Sequence, residues 1–246
     1  MNKKILKKIL GIFNYKLINK NLVKNNRIIS QHSSLNIEMF LKEIFKKNIK
    51  QLIQIGANDG KRFDKLNKFI IKNKTNAILI EPIKKNFKEL SAYYNKYKNV
   101  KLENSAISVN NELNFLYKVN ESYLKYYGKH IPGITSFNKK HLIDHGVKKN
   151  HILKEKVQTI SIKKVLEKYK LKRLDLLYID VEGYDGKIVL DFLSLKLFNT
   201  IIIFEYIHVD QKIFKKVIKK ILSSGYKFIS IDENLVCLPK NKIFKI

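Results

Sequence analysis

Glycines and acids fall at the ends of apolar runs in this chain, and those ends are where its side chains can do chemistry. The run QLIQIG (51–56) leads into Gly56-Ala57-Asn58-Asp59-Gly60. Two glycines let a backbone turn sharply and approach a ligand closely, although a plain tight turn uses them equally well. The turn is not GxGxxG and carries no phosphate-loop lysine. The run AILIEP (77–82) ends in Glu81-Pro82. An acid about 20 positions beyond a glycine turn, at the tip of a second strand, is placed to accept hydrogen bonds from ribose hydroxyls. A charge at a helix N-terminus is the simpler alternative for Glu81. Turn and acid together predict an adenosine-containing ligand. VKLENSAIS (100–108) carries Asn104-Ser105-Ala106, small enough to lie against an adenine ring.

Two further tips carry ionisable groups. LDLLYID (174–180) continues into Val181-Glu182-Gly183-Tyr184-Asp185, so Asp180 and Glu182 alternate at the end of an apolar strand. Such a pair can accept a proton, hold a cationic ligand, bind metal or cap the next helix. TIIIFEY (200–206) is followed by His208. His208 can act as a base near neutral pH with Glu205 orienting it, or sit as a satisfied hydrogen bond at a sheet edge.

These tips require strands to position them. Continuously apolar runs such as Ile201–Phe204 suit strands buried on both faces of a parallel sheet. Helical segments are expected at Phe63–Lys72, Lys84–Tyr97, Ile160–Tyr169 and Ile213–Ser223, which makes the body a doubly wound α/β sheet. KFISID and NLVCLP, joined at Asp232-Glu233-Asn234, read as a closing antiparallel hairpin. Residues 117–156 break the rhythm and hold four of the six histidines. A stretch this long in a compact domain reads as a lid or substrate-recognition insertion, with Tyr126, Tyr127 and His130 as stacking candidates.

The chain has 246 residues, with 50 Lys+Arg against 21 Asp+Glu and a formal net charge of +29. That excess first suggests nucleic acid or an anionic membrane. However, only Arg27, Arg62 and Arg173 are arginine, and base readers lean on arginine forks. A Lys-, Ile- and Asn-rich background accounts for the charge, and nucleic acid is not the expected partner. With Cys237 alone, an intramolecular disulfide is impossible, which fits a reducing compartment. Residues 1–34 form a basic arm ahead of a body at 35–246. Within residues 1–26, Ile5, Leu6, Ile9, Leu10, Phe13 and Leu17 recur at helical spacing among lysines. The arm is too short in apolar run for a membrane span or a signal peptide. It reads as a peripheral membrane contact or as a helix packed on the body or a partner. A cytoplasmic protein, peripheral at the membrane if the arm binds there, is the expectation.

The order of motifs resembles the FkbM-type methyltransferases, over roughly residues 50–206. The segments that carry the resemblance are IGANDG (55–60), LIEP (79–82), NSAIS (104–108), LDLLYIDVEGYD (174–185) and IIIFE (201–205). It implies a Rossmann-like class I methyltransferase fold, α/β, with a mostly parallel seven-stranded sheet and a C-terminal antiparallel hairpin strand. It also implies S-adenosylmethionine as cofactor and methyl transfer to an oxygen of a sugar, glycan or small metabolite. The implied cofactor residues are Gln54, Gly56, Ala57, Asn58, Asp59, Gly60, Glu81, Pro82, Ser105, Ala106 and Asp180. The implied catalytic residues are Asp180 as base, Glu182 orienting the acceptor and His208 as the second candidate base. Gln54 stands where the family often has an acid, so that position adds no negative charge near the cofactor. The chemistry calls for no metal, and His141 and His145, spaced i and i+4, lack evident further ligands in the linear sequence. A nucleic-acid methyltransferase and an inactive Rossmann module bound to a membrane or partner are the alternatives.

Overall fold

A computed structural model describes residues 36–62, 64–109, 114–128, 131–197 and 199–240. The basic arm expected at 1–34, and His130, lie outside the described residues. The first helix, α1 (Ile37–Lys46), is capped by Asn36, whose side chain accepts from the Met39 amide. It buries Ile37, Phe40, Leu41, Ile44 and Phe45, a single stripe at helical spacing. There follow β1 (Gln51–Ile55), α2 (Asn67–Asn73), β2 (Asn76–Ile80), α3 (Lys84–Tyr94), β3 (Val100–Glu103) and β4 (Ala106–Ile107). An inserted unit contains β5 (Phe115–Val119), α4 (Lys139–Asp144) and β6 (Ile152–Lys156). The chain then returns through β7 (Thr159–Ile160), α5 (Ile162–Lys168), β8 (Leu176–Ile179), α6 (Asp185–Leu195), β9 (Ile201–Glu205), α7 (Gln211–Ser223), β10 (Tyr226–Ile231) and β11 (Asn234–Pro239).

Seven strands form one sheet in the order β10-β11-β9-β8-β1-β2-β3. β1 pairs in parallel with both β2 and β8, and β11 is antiparallel to β9 and β10. This is the class I methyltransferase sheet: parallel, doubly wound, closed by one reversed strand. Alternate residues of each central strand enter opposite cores. Ile53, Leu177 and Phe204 pack with Val165, Ile188 and Val217 from α5, α6 and α7. Leu52, Leu176 and Ile203 pack with Leu41, Ile70 and Leu90 from α1, α2 and α3. Among the described residues, no helix is long and apolar enough to cross a membrane.

Three local readings change. VKLENSAIS is not one strand, because the chain leaves the sheet at Asn104, whose side chain donates to the backbone carbonyls of Glu81 and Pro82. Ala106–Ile107 then pairs with β7 in a separate ladder. The first expected helix begins at Asn67 rather than Phe63, because one oxygen of Asp64 accepts from the Leu66 and Asn67 amides and fixes the start there. The helix expected at Lys84–Tyr97 stops at Tyr94.

Gly186, in the first turn of α6, faces α7. A Cβ there would stand 2.7 Å from Val209 Cγ1 and 2.9 Å from Ile213 Cγ2. Alanine adds up to about 1 kcal/mol of helix propensity, but overpacking against branched methyls costs about 1–3 kcal/mol. Gly186→Ala is therefore expected to lower the urea midpoint at unchanged slope, by a net loss of about 1 kcal/mol or more. An equal or higher midpoint would show that α6 and α7 separate freely.

Candidate active site

The first glycine turn sits between the tips of β1, β2 and β8. Gly56 and Ala57 both donate to the Ile80 carbonyl, at 3.0 Å each. Gly56 has φ +86°, and a Cβ on it would lie 2.0 Å from the Asp180 carbonyl oxygen, so no other residue fits. Asn58, also left-handed, donates its amide to Glu81 Oε2 at 2.9 Å. Glu81 Oε1 accepts from the Ile83 amide at 2.9 Å. The Glu81 side chain is thus held by two backbone amides and the Asn86 side chain, and is 4% exposed. A carboxylate has about four acceptor positions, so these three donors leave Glu81 capacity for one more. Burial pushes its carboxyl up to about 7, against the pull of the Ile83, Asn58 and Asn86 hydrogen bonds.

Asp59 does different work. Its carboxylate accepts from the Lys61 and Arg62 amides, both at 2.9 Å, and pairs with the Arg62 guanidinium. Burial opposes its ionisation, but Arg62 and the two amides outweigh burial and hold the carboxyl below its usual range. Arg62 extends to Glu89 at 2.9 Å, tying the turn to α3.

At the tip of β8, burial raises Asp180 to about 7, and the Glu182 charge adds to the rise. Burial likewise raises Glu182 to about 7. Asp185 accepts from the Val181 and Gly183 amides at 3.3 and 3.1 Å, shaping the loop that presents both acids. Burial and the Asp180 charge push it to about 8. Behind them, Gln54 Oε1, Asp64 Oδ2, Tyr178 OH and Glu205 Oε2 are buried with no hydrogen-bond partner among the described residues. Gln54 and Tyr178 are register neighbours, and the charges of Asp180, Glu205 and Asp64 all act on the Tyr178 hydroxyl. Buried polar atoms are normally paired, so this cluster provides for a polar ligand.

The insertion roofs these tips. It has its own core of Val119, Ile131, Ile134, Leu142 and Val147. Ser136 Oγ donates to the Glu182 carbonyl at 2.9 Å, and His141 Nε2 lies 2.6 Å from Glu182 Oε2. Tyr127 bonds His151 Nδ1 at 2.7 Å, whereas Tyr126 is exposed. One pocket opens between the glycine turn and the insertion, lined by Asn58, Arg62, Ile83, Asn86, Val119 and Thr135. A second is lined by Phe137, His141, Glu182, Tyr184 and His208.

Residues 54–228 match the methyltransferase FkbM domain, which is most of the chain. The chain belongs to this FkbM methyltransferase family. Its cofactor is S-adenosylmethionine. No curated protein sequence matches it. Solved structures resemble the chain at low identity. A fibrillarin pre-rRNA processing protein of Methanococcus jannaschii has a TM-score of 0.39 at 12% identity, covering 76% of this chain and 64% of its own. A ribosomal protein L11 methylase of Lactobacillus delbrueckii subsp. bulgaricus has 0.41 at 10%, covering 82% and 77%. Aeropyrum pernix fibrillarin, with natively bound S-adenosyl-L-methionine, has 0.40 at 9%, covering 78% and 66%. The chain thus spans just under two thirds of the Methanococcus protein's length.

The site of this FkbM methyltransferase fits its cofactor by three observations: the Cβ-free cradle at Gly56, the spare acceptor capacity of Glu81, and the unpartnered polar atoms around Gln54. The fold brings Gln54, Gly56, Ala57, Asn58, Glu81, Pro82 and Asp180 to one rim. Ser105 is buried, with its hydroxyl 3.3 Å from Glu103 Oε1, and Ala106 starts the side ladder. Arg62, Asp64 and Asp185 were not legible as site residues, although Asp185 lies in the IDVEGYD segment. His141 was legible only as one of an i, i+4 histidine pair, and Ser136 only as part of the GITSF segment.

If Glu81 accepts from a ribose hydroxyl, it does so ionised, and cofactor binding then draws it to its charged form and releases a proton below a pH of about 7. Affinity for S-adenosylmethionine is expected to fall as pH drops below that point, by up to about tenfold per unit. Glu81→Gln flattens this dependence and weakens binding at alkaline pH by roughly 10–100-fold. Calorimetry across the range checks both, and a pH-independent wild-type affinity would remove Glu81 from the ribose.

Proposed function

We propose that the chain transfers the methyl of S-adenosylmethionine to an oxygen of a small polar acceptor, a sugar unit of a glycan or a hydroxylated metabolite. The observation that carries this reading is the roof over the β8 tip. Glu182 lines a pocket walled by the insertion, with Ser136 fastened to the Glu182 carbonyl, and Asp180 precedes Glu182 by two residues at the strand tip. Phe137 and Tyr184 meet edge to face with ring centroids 4.9 Å apart, an apolar wall suited to a sugar ring. The bound cofactor supplies an electrophilic methyl group. The protein's part is alignment, exclusion of water and removal of the hydroxyl proton. Asp180 stands beside the Gly56 cradle and is the base in this reading. Glu182, held at its carbonyl and carboxylate, orients the acceptor, and His208 is the second candidate base.

The positive surface favours one competitor, methylation of nucleic acid, whose affinity falls steeply with salt. Methyl transfer from labelled cofactor, measured on glycans, small hydroxylated metabolites and RNA at two salt concentrations, separates the readings. Salt-insensitive labelling of a small acceptor supports the proposal, and salt-sensitive labelling of RNA alone overturns it. Asp180→Asn is expected to keep cofactor affinity and lose roughly 10²–10⁴-fold in turnover. Unchanged turnover would remove Asp180 as the base, and a wild type that fails to bind the cofactor would mark an inactive module.

A further inference from the structure

Four side chains from three parts of the chain meet at the rear of the roofed pocket. His141 and His145 lie one helical turn apart at the end of α4, Glu182 follows β8, and His208 follows β9. One ligand-type atom from each lies within 4.8 Å of every other. The imidazoles of His141 and His145 have centroids 4.4 Å apart, those of His141 and His208 4.7 Å, and those of His145 and His208 5.4 Å. We propose that His141, His145, Glu182 and His208 form a binding site for a zinc-type divalent transition-metal cation, which fastens the insertion to the sheet.

The donor set selects the class of ion. Three imidazoles and one carboxylate suit zinc and its neighbours, whereas magnesium and calcium take oxygen ligands. Bonds of about 2.0–2.1 Å place tetrahedral ligand atoms about 3.3 Å apart, so the widest pair here closes by about 1.5 Å, a movement side-chain rotation supplies.

Outer contacts support the same reading. His145 Nδ1 lies 2.9 Å from the His141 carbonyl oxygen. A carbonyl only accepts, so the Nδ1 proton donates and the neutral ring presents the lone pair of Nε2. Glu205 Oε1 stands 3.7 Å from His208 Nε2, an ion-pair distance that is too long for a hydrogen bond. Glu182 is a non-glycine residue at φ +55°, an unfavourable conformation held by Ser136 at its carbonyl. Strain of that kind persists where the surroundings enforce it, and here it aims the carboxylate at His141. Gly183 at φ +99° lets the loop pass the His208 carbonyl, which a Cβ would meet at 3.0 Å. The insertion is fixed from its own side, because Leu142 is buried in its core while Asn138 caps α4. A cation at these four ligands therefore joins two separately packed units. It also commits both His208 and the Glu182 carboxylate to coordination, so the candidate base is Asp180 and acceptor contacts fall to the other residues of the pocket.

The test uses the full-length protein, stripped with a chelator and titrated with Co²⁺. Visible d–d bands of tetrahedral or five-coordinate intensity, saturating at one ion per chain and bleached by Zn²⁺, are expected. His145→Ala and His208→Ala should each weaken Co²⁺ binding by roughly a hundredfold or more, beyond the ~10–100-fold that loss of an outer hydrogen-bond partner costs. His151→Phe, which keeps a ring against Tyr123 at 3.8 Å, should bind as the wild type does. Saturable bands that survive in both His145→Ala and His208→Ala overturn the site, as does their absence from the wild type. Equal loss in His151→Phe overturns it too. His145 lies half-buried at a helix end, so its variant decides the matter should His208→Ala unfold. Cobalt binding needs neither acceptor nor cofactor, so its failure and the failure of the acceptor reading are separate results.

Discussion

The parallel pairing of β1 with both β2 and β8 is the constraint on which the site depends. Register sets Ile55 level with Ile80 and with Ile179, so three strands end together and release their chains at one rim. The turn after β1 must then pass the backbone after β8 with no room for a Cβ, which Gly56 alone satisfies. Once the strands end in register, the acids that follow them are brought close whatever their separation in the chain. Burial of those acids is a cost. The apolar packing on both faces of the sheet offsets it, which is why this rim can hold carboxyl groups no surface loop would crowd together.

The rim then differentiates its acids by what each one meets. Asp59 has a guanidinium and two amides and stays ionised. Glu81 has two backbone amides and the Asn86 side chain but no cation beside it, so burial prevails and its affinity for a proton rises into the neutral range. The Glu182 charge disfavours that of Asp180, and Asp185 holds the amides of the loop between them. Similar carboxyl groups thus stand as turn brace, candidate ribose acceptor, candidate base and loop clamp, and environment rather than residue type separates them.

The parts legible in the sequence are those whose cause is local. A strand buried on both faces must be apolar throughout, so β1, β2, β8 and β9 stand out as runs. A turn that passes another backbone needs glycine, so the GANDG segment stands out as well. The helix α6 did not stand out, because it is buried on several sides and carries Gly186 in its first turn, which no propensity argument favours. VKLENSAIS read as one strand because its split depends on Asn104 reaching two carbonyls more than twenty residues earlier. His141 and His145 read as a bare pair because Glu182 and His208 are joined to them only by the insertion folding back over the sheet. Contacts that long in sequence leave no periodicity to read.

The charge of the chain acts at a different range from its site. Exposed lysines pair with exposed acids at Glu43, Glu38 and Glu121, where such contacts contribute little to stability. What remains of the +29 is a surface field that salt screens within about 8 Å at physiological strength. Such a field alters how often an anion or an anionic surface meets the protein, and it fades over the distance at which chemistry is decided. At the rim the order reverses. There the charges are negative, few and desolvated, so each one acts strongly on its neighbours and weakly on anything outside. Approach can therefore follow the lysines, while in the proposed reaction alignment of a methyl group and removal of a proton would follow the acids at the strand ends.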